Sequence, residues 1–132
     1  MRIVRSIGEK IEISKTVEEN DLATFETGTV HPFYGTFALG RDVEWACRQF
    51  VLEMKEEDEE GIGTFLNITH KSPAMLGQTV RIEAVLTELD GNSVNCSFSV
   101  WVNDRLVAEG TQGQKILKKE KLERIKQQLQ LP

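Results

Sequence analysis

Glu44 sits in Val43-Glu44-Trp45-Ala46-Cys47, an apolar stretch at helical spacing. A carboxylate buried there would be partly desolvated, and its pKa would rise toward values useful for acid-base work. The other reading is a solvent-facing residue. At ~100° per residue, Thr36, Gly40 and Glu44 fall on neighbouring turns of one helix side, and Gly40 has no side chain to fill the space between them. The chain has two histidines, His31 and His70, so centres built on several histidines are excluded. His70 ends an alternating run and shares the parity of Leu66 and Ile68. It is either a hydrogen-bonded core residue or an acid-base group titrating near the physiological range where a strand leaves its sheet. Gly61-Ile62-Gly63 continues without a third glycine, so there is no phosphate-cradling loop, and no GxSxG nucleophile elbow occurs. Cys47 and Cys96 fit neither a CxxC pair nor a zinc-ligand spacing, and read as buried thiols. No metal site is expected.

The elements that must position these groups follow from periodicity. Ile11, Ile13 and Val17 give the two-residue period of a strand over 10–17, while 18–34, without a sustained period, reads as a loop with one helical turn. Leu39, Val43, Cys47, Phe50 or Val51, and Met54 recur at three- and four-residue steps, predicting a proline-free helix over 36–55, about 30 Å long. It should end in the acidic run 56–60, read as a solvated helix end, with Gly61 as breaker. Three alternating segments, 62–70, 78–89 and 94–102, then follow, and Ile62, Thr64, Leu66, Ile68 and His70 share one parity. Asp90-Gly91-Asn92 and Asn103-Asp104 mark tight turns, 106–117 supplies a last strand, and 118–131 reads as a short amphipathic helix carried by Leu122, Ile125 and Leu129. The expectation is an α+β fold: an antiparallel sheet of about five strands around one long helix, plus a short C-terminal helix.

A chain of 132 residues with 39% apolar and 28% charged residues fits one globular domain over 1–132. Its 16 basic against 21 acidic residues, net −5, argue against a nucleic-acid partner. No apolar run approaches the ~20 residues needed to span a membrane, and residues 1–10 lack the apolar core of a signal peptide, so the expected location is cytoplasmic. One helix on an antiparallel sheet leaves strand edges exposed, which a homodimer would resolve.

Taken together, these residues resemble the hotdog-fold thioesterases, most closely the fluoroacetyl-CoA thioesterase-like subgroup. The resemblance runs from Gly35 to Leu117. It rests on a threonine opening the long helix, Val43-Glu44-Trp45-Ala46-Cys47, Gly63-Thr64 opening a strand that ends in His70, a Pro-containing loop to Gly77, Leu86-Thr87-Glu88-Leu89-Asp90-Gly91, and Gly110-Thr111. It implies a hotdog fold and an acyl-CoA thioesterase acting on a short or small acyl group. The catalytic set would be Thr36, Glu44 and His70, with Gly63 beside the substrate thioester. It further implies sites at the interface of a homodimer, which could pair again into a tetramer, and a mobile lid within 20–34. Coenzyme A enters as part of the substrate, and no cofactor is called for. Two departures stand out. The subgroup has Gly-Thr-His-Glu-Arg where this chain has Gly110-Thr111-Gln112-Gly113-Gln114, and glycine where Phe37 follows Thr36. Without that arginine, fluoroacetyl selectivity has no support here.

Thioester hydrolysis suits these residue types. It needs an activated water or nucleophile and oxyanion donors, but little acid assistance, because a thiol of pKa ~8.5 leaves readily as thiolate. Glu44 would be base or nucleophile, His70 a proton shuttle, and Thr36 a positioning hydroxyl. Two other readings remain: a non-catalytic acyl-thioester-binding hotdog module, and a hotdog hydratase or dehydratase, whose Asp/His pattern is absent from the chain. Large side chains at Phe33, Tyr34, Phe37 and Trp45 around Thr36 favour small acyl groups.

Overall fold

A computed structural model describes residues 1–130. Strand β1 (Lys10–Thr16) is followed by a 3-10 turn (Glu19–Asp21), a hairpin of β2 (Leu22–Phe25) and β3 (Gly28–Tyr34), and helix α1 (Thr36–Met54). Then come β4 (Glu59–His70), β5 (Thr79–Asp90), β6 (Ser93–Val102), β7 (Arg105–Lys118) and helix α2 (Lys119–Gln130). Five strands form one antiparallel sheet in the order β1-β5-β6-β7-β4, with α1 packed across it. This is the hotdog arrangement. The C-terminal helix forms as expected, though its anticipated end at Leu131 lies outside the described residues.

The core forms where the two periodicities meet. Leu39, Val43, Ala46, Cys47, Phe50, Val51 and Met54 face the sheet, and Val80, Ile82, Ala84, Leu86, Val94, Cys96, Phe98 and Val100 face the helix. Each large aliphatic or aromatic side chain buried this way contributes about 1.5–3 kcal/mol. Both cysteines are free and buried, and hydrogen bonding to Cys96, then burial, holds the Cys47 thiol well above the ordinary range. The two tight turns use left-handed backbone, Gly91 at φ 58° and Asn103 at φ 51°, which these residue types tolerate best.

Three local expectations need correction. Residues 18–34 are not a plain loop but the 3-10 turn and a two-stranded hairpin. Its strands lie mostly exposed, so neither face carries an apolar period. The acidic run is not wholly a solvated helix end: β4 begins at Glu59, which is 7% exposed and pairs with the N-terminal ammonium at 2.6 Å. Gly61 is therefore a strand residue rather than a breaker; a Cβ there would lie 2.6 Å from Val51 Cγ1. Finally, β4 does not keep one parity. Gly63 pairs with Gln114 but Phe65 with Gly113, so Thr64 is bulged. Before the bulge odd positions face the helix, and after it Leu66, Ile68 and His70 do.

Candidate active site

The long helix begins where the hairpin ends. The Gly35 amide donates to the Asp21 carbonyl at 2.8 Å, and the Tyr34 amide to the Ala74 carbonyl at 2.8 Å. Thr36, the first helical residue, is thereby fixed beside the last residue of β4. Its Oγ1 lies 3.2 Å from His70 Nε2, within hydrogen-bond distance. The chain leaving His70 is also tied down. The amides of Lys71 and Ser72 donate to the Val107 carbonyl at 2.8 and 3.2 Å, and Arg105 donates to Ser72 Oγ and the Pro73 carbonyl, both at 2.6 Å. Desolvation pulls the His70 pKa below the usual imidazole range and so favours the neutral ring, one nitrogen of which can accept a proton.

Glu44 lies two turns along α1 from Thr36, and both border one cleft of about 410 Å³ floored by Gly40, Leu66 and Ile68. The bulge at Thr64 brings Gly63 to the helix, where a Cβ would stand 2.6 Å from Glu44 Oε1. Only a residue without a side chain admits the carboxylate in that position. The same oxygen has a partner unforeseen from sequence: Gln112 Nε2 donates to Glu44 Oε1 at 3.1 Å. The expected desolvation of Glu44 is not found in the single chain. Val43, Ala46 and Cys47 turn to the sheet, whereas Glu44 and Trp45 point out and are exposed. The structure thus joins Thr36 to His70 directly and Thr36 to Glu44 across a cleft, with Gly63 against the carboxylate, and makes no hydrogen bond between Glu44 and His70.

Thr36 also lines two further cavities. One, about 360 Å³, contains His70, His31, Phe33 and Pro73. The other, about 610 Å³, lies between the hairpin and the start of α1, lined by Leu22, Phe25, Val30, Phe37 and Ala38. The Phe25 and Phe37 rings meet edge to face there, their centroids 6.0 Å apart. Of the four large residues expected to crowd Thr36, Phe33 and Phe37 line these cavities, but Trp45 lines a separate cleft with Arg41, Asp42, Glu44 and Arg48. Tyr34 borders the His70 cavity while its hydroxyl, buried, donates to Asp42.

That hydroxyl belongs to a polar network around two buried carboxylates, which periodicity could not disclose. Arg41 donates to Asp21 at 2.8 Å and to Asp42 at 3.0 Å, and Lys15 reaches Asp21 at 3.0 Å and Asp42 at 3.4 Å. Asp21 and Asp42 are 2% and 7% exposed. Burial alone would raise the Asp21 pKa. The Glu18 amide, Arg41 and Lys15 outweigh it and hold the carboxyl below its ordinary range. The network clamps the hairpin and β1 to α1 next to Thr36.

The chain as a whole is similar to several known proteins. A Thermus thermophilus hypothetical protein described as a thioesterase superfamily member is 31% identical, with a TM-score of 0.91 over 98% of this chain and 95% of that one. A hot-dog-like protein from Thermanaerovibrio acidaminovorans is 19% identical, with a TM-score of 0.87 over 96% of this chain and 93% of its own. A fluoroacetyl-CoA thioesterase is 21% identical, with a TM-score of 0.86 over 97% and 98%. No curated protein matches the chain. The sequence model of the fluoroacetyl-CoA-specific thioesterase family matches residues 17–120, a span that takes in Thr36, Gly63, His70, Glu44 and the glutamine behind it. The chain belongs to that family and is a thioester hydrolase of the hotdog fold.

Proposed function

We propose that the chain hydrolyses a short or small acyl thioester of coenzyme A, using Thr36, Glu44 and His70 and no cofactor. The observation that carries this reading is the meeting of three groups at Thr36: the His70 imidazole at 3.2 Å, the cleft holding Glu44, and the apolar cavity under the hairpin. The thioester carbonyl sits beside the Gly63 backbone, and the acyl group enters the apolar cavity. Glu44 either takes a proton from water as the water oxygen bonds to the carbonyl carbon, or bonds to that carbon itself and gives an acyl anhydride that water then hydrolyses, and in both routes the C–S bond breaks. The neutral His70 relays the proton, with Thr36 Oγ1 orienting its ring, and coenzyme A departs as thiolate. Phe25 and Phe37 narrow the acyl cavity, which supports a preference for short chains. The departure from the subgroup's arginine at Gln114 leaves fluoroacetyl-CoA as one acyl thioester among others rather than a dedicated substrate.

A panel of acyl-CoA substrates from acetyl to long chain, assayed for free thiol, tests the reading. Turnover with kcat/KM highest for short acyl groups is the expected result. A steady rise out to long chains would remove the small-acyl reading, and no release from any acyl-CoA would remove the activity.

A further inference from the structure

Two glutamines of β7 lie where the sheet faces the helix. Gln112 is fully buried and Gln114 is 3% exposed. Amides so placed destabilise the fold unless their polar atoms are paired, and here the pairing runs in one direction. Gln112 Nε2 donates to Glu44 Oε1 at 3.1 Å and approaches the Gly113 carbonyl at 3.3 Å. Gln114 Nε2 donates in turn to Gln112 Oε1 at 3.1 Å. An ionised carboxylate only accepts hydrogen bonds. Gln112 must therefore turn its NH2 toward Glu44, its own oxygen then faces Gln114, and Gln114 must offer its NH2. One charge dictates the orientation of both amides. Glu44 Oε1 is caught between the Gln112 amide and the Gly63 backbone, while Oε2 has no hydrogen bond among the described residues.

From this geometry we infer that Gln112 is a positioning residue for Glu44, and that Gln114 locks the Gln112 amide the right way round. The inference rests on the reading of Glu44 as base or nucleophile. Glu44 stands on an exposed helix face, where a free glutamate would populate several rotamers. A donor fixed in the core anchors one oxygen and leaves the other for the reacting water or thioester carbon. Gln112 lines none of the three cavities around Thr36, so it acts through Glu44 and not on the substrate.

The test is steady-state kinetics on Gln112→Met, which keeps the side chain's length and removes its donor. With any hydrolysed acyl-CoA, kcat falls roughly tenfold or more while KM stays within about twofold, since misplacing a reacting group costs rate and not substrate contacts. Gln114→Met, which frees the Gln112 amide to turn its oxygen toward the carboxylate, lowers kcat by a smaller factor with the same unchanged KM; it carries the test if Gln112→Met does not fold. In a Glu44→Gln background, Gln112→Met changes the residual kcat by less than about twofold, because the residue it serves is already gone. A folded Gln112→Met with normal kcat, alongside an inactive Glu44→Gln, overturns the inference and leaves the role of Glu44 standing. A loss of kcat that persists undiminished in the Glu44→Gln background overturns it as well, since the effect would then be structural. Normal turnover by Glu44→Gln overturns the reading beneath it.

Discussion

The three groups around Thr36 differ in how much chemistry each is asked to supply, and substitution separates them. Glu44→Gln nearly preserves size, and His70→Ala removes the imidazole; each is expected to lower kcat by about 10² or more, the scale of a lost acid-base group. Thr36→Ala should cost less, because in the proposed mechanism Thr36 Oγ1, 3.2 Å from His70 Nε2, orients the ring without carrying the proton. On the proposed reading Glu44 and His70 act as a unit, so the double variant should lose little more than the worse single one. Folded single variants with wild-type turnover would return both residues to a structural role. A pH profile gives an independent check. Burial lowers the His70 pKa, so the neutral ring that accepts the proton persists as the pH drops below ~6.5, the value of a free imidazole. The acid limb of kcat/KM assigned to this group therefore lies below that value and vanishes in His70→Ala. An acid limb that survives the substitution would assign it elsewhere.

At the scale of elements, the hairpin clamp sets where Thr36 begins the helix. Asp21 has a folded pKa below its ordinary value, so on acidification the unfolded chain takes up its proton first. Its stabilising contribution is complete above the ordinary carboxylate range near pH ~4 and disappears as the pH falls through the lowered folded value. Asp21→Asn, of equal size, should flatten this part of a stability curve measured by denaturant melts between pH 2 and 7; an unchanged acid slope would show that the network does not stabilise the fold. The same elements show what sequence could and could not disclose. The alternation of Val94, Cys96, Phe98 and Val100 and the three- and four-residue steps of α1 were legible, because each element buries one continuous face. The hairpin was not, since its strands bury almost nothing. The bulge at Thr64 leaves no compositional mark, yet it moves Gly63 onto the carboxylate. Glu44 and His70 stood out by residue type, while Gln112 did not, because a glutamine in a strand reads as solvent-facing until its neighbours in space are known.

For the whole molecule, the face that carries the proposed site is the one in need of a cover. Thr36, Glu44, Gly63 and His70 are all exposed in the single chain, although hydrolysis guided by a carboxylate and an imidazole works best where bulk water is limited. Gly63 and His70 belong to β4, a sheet edge of 12 residues paired only with β7. Phe37 on the helix is 77% exposed and Trp45 51%, and on the strand Ile62, Phe65 and Leu66 are each above 40%. A long edge strand flanked by apolar side chains is the feature that monomeric proteins normally blunt with charge, proline or a covering segment. A second copy meeting this edge would extend the sheet, cover the aromatic residues and narrow the site from outside, which is the homodimer expected from sequence. Sedimentation at low micromolar concentration should show a dimer, and specific activity should fall on dilution below its dissociation constant, because the separated chain leaves the proposed catalytic groups open to solvent. A folded monomer with full activity per chain at those concentrations would mean that one chain suffices, and that the exposed face of α1 and β4 serves another purpose.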